Sequence, residues 1–201
     1  MHYDSKIPLL DISFLFFIML FIPAAAYIDT AIFQNRMSEL SLTEISQSSL
    51  VLASTVMFYK EAQLSDTLKA PLYLATTLLA MIFIREADYY LDFIYHGSWK
   101  VPVFITFCFG MYTVIKNKLP IFSPLALAIK TKAFGYMMCG LAITLIFSRL
   151  YGNSTIWLTM LSRSDASYIK NIIQESLELL GYSMIFLGAL TQHFSARHNA
   201  H

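Results

Sequence analysis

Four stretches of an otherwise apolar chain carry ionisable or amide side chains at helical spacing. They hold Glu44 and Gln47; Arg85, Glu86, Asp88 and Asp92; Arg149; and Glu175 and Glu178. Arg85, Asp88 and Asp92 recur at i, i+3 and i+7, one stripe of one helix, whereas Glu86 points about 100° away. Glu175 and Glu178 share a face that Tyr182 continues, and Glu44 and Gln47 pair in the same way. Six carboxylates (Glu44, Glu86, Asp88, Asp92, Glu175, Glu178) stand against two guanidiniums, Arg85 and Arg149, with His96 beside them. Fully ionised, such a set would be strongly negative. Either some carboxyls hold a proton or a cation sits among them, a hard divalent cation in an oxygen cage being one form. Glu175 and Glu178 repel across one turn, so at least one is expected to have a raised pKa unless an arginine or cation lies between them.

Other chemistries fail on residue type. A di-iron centre in a helical bundle takes Glu-x-x-His pairs, and Glu175-x-x-Glu178 and Glu44-x-x-Gln47 have no histidine. A hydrolytic zinc site takes two or three histidines with an open position, and His96 is the one histidine expected at the level of the carboxylates. There is no G-x-S-x-G, H-E-x-x-H or P-loop. Ser148, next to Arg149, has no evident base and reads as helix packing. Two catalytic or structural alternatives stay open beside the binding site: a metal-assisted hydrolase or transferase acting on lipid, with His96 as ligand or base, and a scaffold whose arginines are interhelical struts.

The elements that must position these residues are dictated by composition. Of 201 residues, 57% are hydrophobic and 13% charged, with a mean hydropathy of +0.57; soluble domains carry roughly 25% charged residues. A bilayer span takes about 20 apolar residues, so six take about 120. The remainder is too little for a soluble domain, and the chain reads as one transmembrane domain over residues 1–201, an all-α bundle of six helices. A net charge of +1 gives no field for nucleic acid. Cys108 and Cys139 lie far apart in apolar runs and read as buried thiols, not a disulfide.

The spans are expected at Ile7–Ile28, Thr43–Tyr59, Pro71–Phe93, Ser98–Ile115, Ala133–Arg149 and Ile169–Gln192, with Gln34–Arg36 as the first polar break. Pro71, Pro102 and Pro124 fall at or near helix starts, where a missing N–H costs nothing. Within the first run, Ile12–Ile22 also fits the apolar region of a signal peptide with Ala24–Ala26 as its cleavage site, but Lys6 is offset by Asp4 and Asp11. A retained helix is the reading taken. Lys6, Lys60, Lys69, Lys116, Lys118, Lys130, Lys132 and Arg197 then share one side; Arg36, Lys100, Arg163 and Lys170 lie on the other, with Arg149 at its edge. The bias places both termini in the cytoplasm. On that topology Arg85 to Asp88 lie roughly 20 Å from the inner end of their helix. Glu44, Gln47, Arg149, Glu175 and Glu178 fall at the same outer level, with Asp92 and His96 at the mouth. A charge in hydrocarbon costs at least about 2.5 kcal/mol, so these groups are expected to face each other or water.

Tyr89, Tyr90, Tyr95, Trp99 and Trp157 read as an outer aromatic belt, and Thr155–Ser162 as a short interfacial helix with Ile156, Trp157, Met160 and Leu161 on one face. Asp165 is a candidate cap for the last helix. Lys116, Lys118, Lys130 and Lys132 read as topology signals and anionic-lipid contacts, and His198 and His201 as a short unstructured tail. The fourth span, charged only at Lys100 near its start, suits lipid, a partner subunit or a second copy.

Three stretches carry a family likeness: Arg85-Glu86-x-Asp88, Ile146–Gly152, and Gln174-Glu175-x-x-Glu178-Leu179-Leu180-Gly181-Tyr182. Over roughly Thr43 to Leu190 the chain resembles a group of small, uncharacterised six-helix proteins of the bacterial inner membrane. The resemblance implies that membrane and six helices, and no activity. If the topology holds, reporter fusions at Gly97 and at the C-terminus report opposite sides of the membrane; a C-terminus outside the cytoplasm would reverse the orientation.

Overall fold

The structure, a computed structural model, describes residues 6–33, 41–93 and 95–198. Asp4, the break at Gln34–Arg36 and His201 lie outside the described residues, as do the side chains of Lys6 and His198. Every described element is helical. In chain order they are α1 (Lys6–Tyr27), continued by a π-helical turn over Ile28–Ile32; α2 (Leu42–Leu64); α3 (Lys69–Glu86); α4 (Asp88–Leu91); α5 (Lys100–Lys116); α6 (Phe122–Ala128); α7 (Lys132–Ala142), continued by a second π-helical turn over Ile143–Phe147; α8 (Ser148–Tyr151); α9 (Ser154–Leu158); and α10 (Arg163–His198). The six expected spans each fall on a long helical run. Among the described residues two runs, Asp11–Ile32 and Lys132–Leu158, rather than the expected six, are long and apolar enough to cross a membrane by length and composition.

Several local expectations are corrected. The third run is not one helix: the chain turns at Ala87 (φ −88°, ψ 14°), whose N–H bonds back to the Phe83 and Arg85 carbonyls, and α4 restarts at Asp88. The Arg85–Asp88–Asp92 stripe assumed unbroken α geometry, so it does not carry across this turn. The last helix is capped by Ser162, whose Oγ accepts from Asp165 N–H at 3.4 Å and donates to the Asp165 carboxylate at 2.6 Å. Asp165 is therefore the N3 partner of a Ser-x-x-Asp box, not the cap. Helix α10 also runs to His198, so helix occupies part of the expected tail. Cys108 and Cys139 are free but exposed, because the apolar faces that carry them point outward. The prolines fall as expected: Pro71, Pro102 and Pro124 are each the third residue of their helix, where no intrahelical acceptor is available.

The chain divides into two compact units. The first comprises the described parts of Met1–Gln47 with Met137–Leu187. Its organising contact is the crossing of α7 and its π turn with α10. A Cβ on Gly140 would strike the Gly181 carbonyl and the Ile185 side chain, and a Cβ on Gly181 would strike Thr144 Oγ1 and the Gly140 carbonyl. Small residues let the two backbones touch, as in helix pairs packed within lipid. Further along, a Cβ on Gly152 would meet Gln174 Oε1, so numbers rise on one helix as they fall on the other and the pair is antiparallel. Phe14 on α1 packs against Phe186 on α10, with ring centroids 5.8 Å apart.

The second unit is the described part of Ser48–Tyr136 with Gly188–His201. Here α3 packs against α5 and α6; Gly110 lies so close to Thr77 that a Cβ would clash with its Oγ1 and Cγ2. Ala70, Leu72, Ala75, Leu79, Ile82 and Val114 are buried. The outer face of α5 is apolar instead of polar: Val101, Phe104, Ile105, Phe109, Tyr112 and Ile115 are all exposed. Lys100 stands 5.9 Å from the Trp99 ring centroid and Lys116 5.3 Å from that of Tyr112, one at each end of the helix.

Two glycines of α7 generate a prediction. A Cβ added to Gly135 would have nothing within 4 Å, whereas Gly140 is at the backbone contact. Gly135→Ala should raise thermal stability in detergent by about 0.5–1 kcal/mol, the ordinary helical gain over glycine. Gly140→Ala should lower it by about 1–3 kcal/mol, because the crossing must open.

Candidate functional site

The polar residues of the first unit gather on α10, and the start of α2 is what brings Gln47 there. Asp29, fully buried in the π-helical end of α1, accepts from the backbone N–H groups of Leu42 (2.7 Å) and Thr43 (2.9 Å) and from Thr43 Oγ1 (2.6 Å). A carboxylate thus satisfies free N–H groups at a helix start and meets the positive end of its dipole. Ser41 Oγ accepts a further N–H, that of Glu44, at 3.1 Å. Glu44 is the N3 residue of a Ser-x-x-Glu box. The bond to Ser41 uses the backbone N–H of Glu44.

One turn on, Gln47 is fully buried. Its Nε2 donates to the backbone carbonyl of Glu175 at 2.9 Å and to Glu175 Oε2 at 3.2 Å. Both partners are acceptors, so the amide can present only its nitrogen to them. Gln47 Oε1 is left buried without a hydrogen-bond partner, and Thr144 Oγ1 is the other such atom among the described residues.

Glu178, 4% exposed at its side chain, lies one turn further along α10. Arg149 Nη2 is 3.1 Å from its Oε1, and Gln174 Nε2 donates to the same oxygen at 3.3 Å. The π turn at Ile143–Phe147 immediately precedes Ser148 and Arg149. A π turn holds one more residue than an α turn and resets the face on which later residues emerge. In the turn that follows, Ser148 Oγ donates to the Thr144 carbonyl and Gly152 N–H to the Ser148 carbonyl. Ser148 is fully buried and bonded to backbone, in line with a packing role.

The remaining expected residues belong to the second unit. Arg85 pairs with its neighbour Glu86 at 3.3 Å, although unbroken helical geometry would aim the two apart. The pair sits in the last turn before the break at Ala87. Asp88 begins α4. Asp92 Oδ1 accepts the Gly97 N–H at 2.8 Å and its Oδ2 lies 2.9 Å from His96 Nδ1. Gly97 has φ +82°, a conformation glycine tolerates, so Asp92 fastens a turn while His96 is almost wholly exposed.

Sequence reasoning missed three contributors. Asp29 is acidic inside an apolar run, and that isolation was the available signal. Gln174 stands one turn from Glu178. Glu61, 3% exposed at its side chain, lies 2.6 Å from His193 Nδ1 in the second unit, joined across too much sequence for spacing to reveal. Among the described residues no group of three or more His, Cys, Asp or Glu side chains is arranged to hold a metal ion. The donor set around Gln47 and Glu175 instead mixes an amide oxygen with a carboxylate. No protein-family model, no curated protein and no solved structure matches this chain.

The Arg149–Glu178 pair yields an asymmetric prediction. Arg149→Met leaves a buried carboxylate without its guanidinium, whereas Glu178→Gln keeps an acceptor for Arg149. Arg149 is 42% exposed at its side chain, so water moderates the loss. Arg149→Met should destabilise the protein in detergent by about 1–3 kcal/mol near neutral pH, and Glu178→Gln by clearly less. Equal melting temperatures for wild type and both variants would show that the pair contributes nothing.

Proposed function

We propose that this chain is a non-catalytic integral protein of the bacterial inner membrane whose polar interior binds a proton, a cation or a cationic group. The six long helical runs cross the bilayer, both termini are cytoplasmic, and Gln47, Glu175, Glu178 and Arg149 lie towards the outer leaflet. Occupancy of the site serves transport, sensing or the seating of a partner membrane subunit.

The observation that carries the binding site is the buried Gln47 oxygen without a donor, beside the Glu175 carboxylate. A buried acceptor left unpaired costs about 1–3 kcal/mol, and a proton-bearing or cationic group relieves that cost while balancing carboxylate charge. The membrane reading is supported by the distribution of apolar surface. Leu9, Phe16, Phe17, Met19 and Leu20 on α1 are exposed, as are Leu145, Ile146 and Phe147 on the π turn after α7, while Asp29, Thr43, Gln47, Ser148 and Glu178 are buried. Water-soluble proteins rarely expose contiguous apolar surface on this scale; lipid favours it. Lysines and aromatic rings at both ends of α5 match the anchoring pattern of a span.

The test uses the full chain purified in detergent. Melting temperature is followed across a pH series and on adding sodium, potassium, magnesium or methylammonium chloride at constant ionic strength. Wild type should be stabilised by acid or by one of these cations, and Glu175→Gln should lose that response. A wild type indifferent to all of them would overturn the binding site. A chain released from membranes by alkaline carbonate would overturn the integral-membrane reading.

A further inference from the structure

Between Asp92 and Asp165 the chain has no carboxylate side chain, and Lys116, Lys118, Lys130 and Lys132 fall within that stretch. All four are exposed, two before the short helix α6 and two after it. Lys116 stands beside the Tyr112 ring, and among the described residues Lys118 and Lys130 form no ion pair. We infer, resting on the membrane reading just proposed, that α6 and its flanking lysines form a docking surface for anionic phospholipid. Phosphate lies at the lysines, and acyl chain covers the bare apolar residues between them.

Defined turns fasten α6 at both ends. Helix α5 closes in a Schellman turn, with Leu119 N–H on the Val114 carbonyl at 3.1 Å and Lys118 N–H on the Ile115 carbonyl at 3.0 Å. Lys118 takes the left-handed position, φ +48°, where glycine is usual. At the other end Thr131 Oγ1 donates to the Ala128 carbonyl at 2.7 Å and accepts the Phe134 N–H at 3.2 Å. Packing on α3 takes Pro124 and Ala128 inside and leaves Phe122, 88% exposed, outside with Leu127 and Ile129. A helix of this length spans about 10 Å, roughly one Debye length at physiological salt. The lysines at its two ends therefore add to one local potential. An apolar centre between cationic ends matches the boundary of headgroup and acyl chain in an anionic leaflet. Nucleic acid would answer the lysines and leave Leu127 and Ile129 bare.

Fluorescence quenching on the full chain in lipid nanodiscs tests this. Phe122→Trp adds an indole whose emission is read above the wild-type background of Trp99 and Trp157. Brominated phosphatidylglycerol and brominated phosphatidylcholine are compared in otherwise identical mixtures. The anionic lipid should quench at an about fivefold lower mole fraction, the contribution of one lysine at an anionic surface, and high salt should shrink that advantage. Adding Lys118→Asn and Lys130→Gln should remove most of it; asparagine accepts the left-handed conformation at 118. Ile129→Trp is the second probe position should Phe122→Trp fail to fold. Equal quenching by the two lipids, or an advantage that ignores the lysine substitutions, overturns the inference. Quenching by neither lipid, in a chain that alkaline carbonate does not release, also overturns it and leaves the membrane reading standing, α6 then facing water or a protein partner. Release by carbonate overturns both.

Discussion

A buried polar group must find a partner, and in this protein that requirement is acute because so much of the surface is apolar. Leu9, Phe16, Phe17, Met19 and Leu20 along α1, and Phe104, Ile105 and Phe109 along α5, face outward. Asp29, Thr43, Gln47, Ser148 and Glu178 are taken inside. Each buried donor or acceptor left unpaired costs about 1–3 kcal/mol, comparable to the net contribution of a well-buried aliphatic side chain. Helix ends, the crossing of α7 with α10, and the ion pairs are all arranged under that constraint.

Asp29 illustrates how one interaction organises others. Its carboxylate is held at the end of α1 by a π-helical turn and receives two backbone N–H groups and a hydroxyl from the start of α2. The position of Gln47, just over one turn into α2, follows from where that helix begins. The Gly140–Gly181 contact has the equivalent effect on Arg149. Because two backbones meet without intervening side chains, the following turn comes close enough for a guanidinium to reach Glu178. The Gln47–Glu175 and Arg149–Glu178 contacts are thus set by a carboxylate at a helix start and by a glycine crossing.

The unit containing α3 and α5 uses its charges differently. Arg85 and Glu86 pair at the end of α3, and Asp92 fastens the Gly97 turn. These contacts shape chain ends and reversals. The Glu61–His193 pair, with the carboxylate buried and the imidazole half-buried, joins residues on two long helices. Carboxylates that look alike in sequence thus divide between shaping the backbone and forming the polar interior near Glu175.

The sequence by itself determined the helical class, the positions of the six long runs and the pairing of apolar length with sparse charge, because hydrophobic periodicity and proline placement are local properties. It also picked out Glu175, Glu178 and Arg149 as charges too costly to leave alone in an apolar helix. Tertiary structure decided which of them meet. Arg85 pairs with its neighbour Glu86 in the last turn of α3, and Arg149 meets Glu178 just after a π turn that α periodicity does not register. Cys108 and Cys139 proved exposed because an apolar stretch states its length but not the direction its faces point. Asp29 and Gln47 became partners of α2 and α10 across loops that no spacing rule spans. Local patterns fix what each helix is; only the meeting of backbones fixes which polar atom is left without a partner.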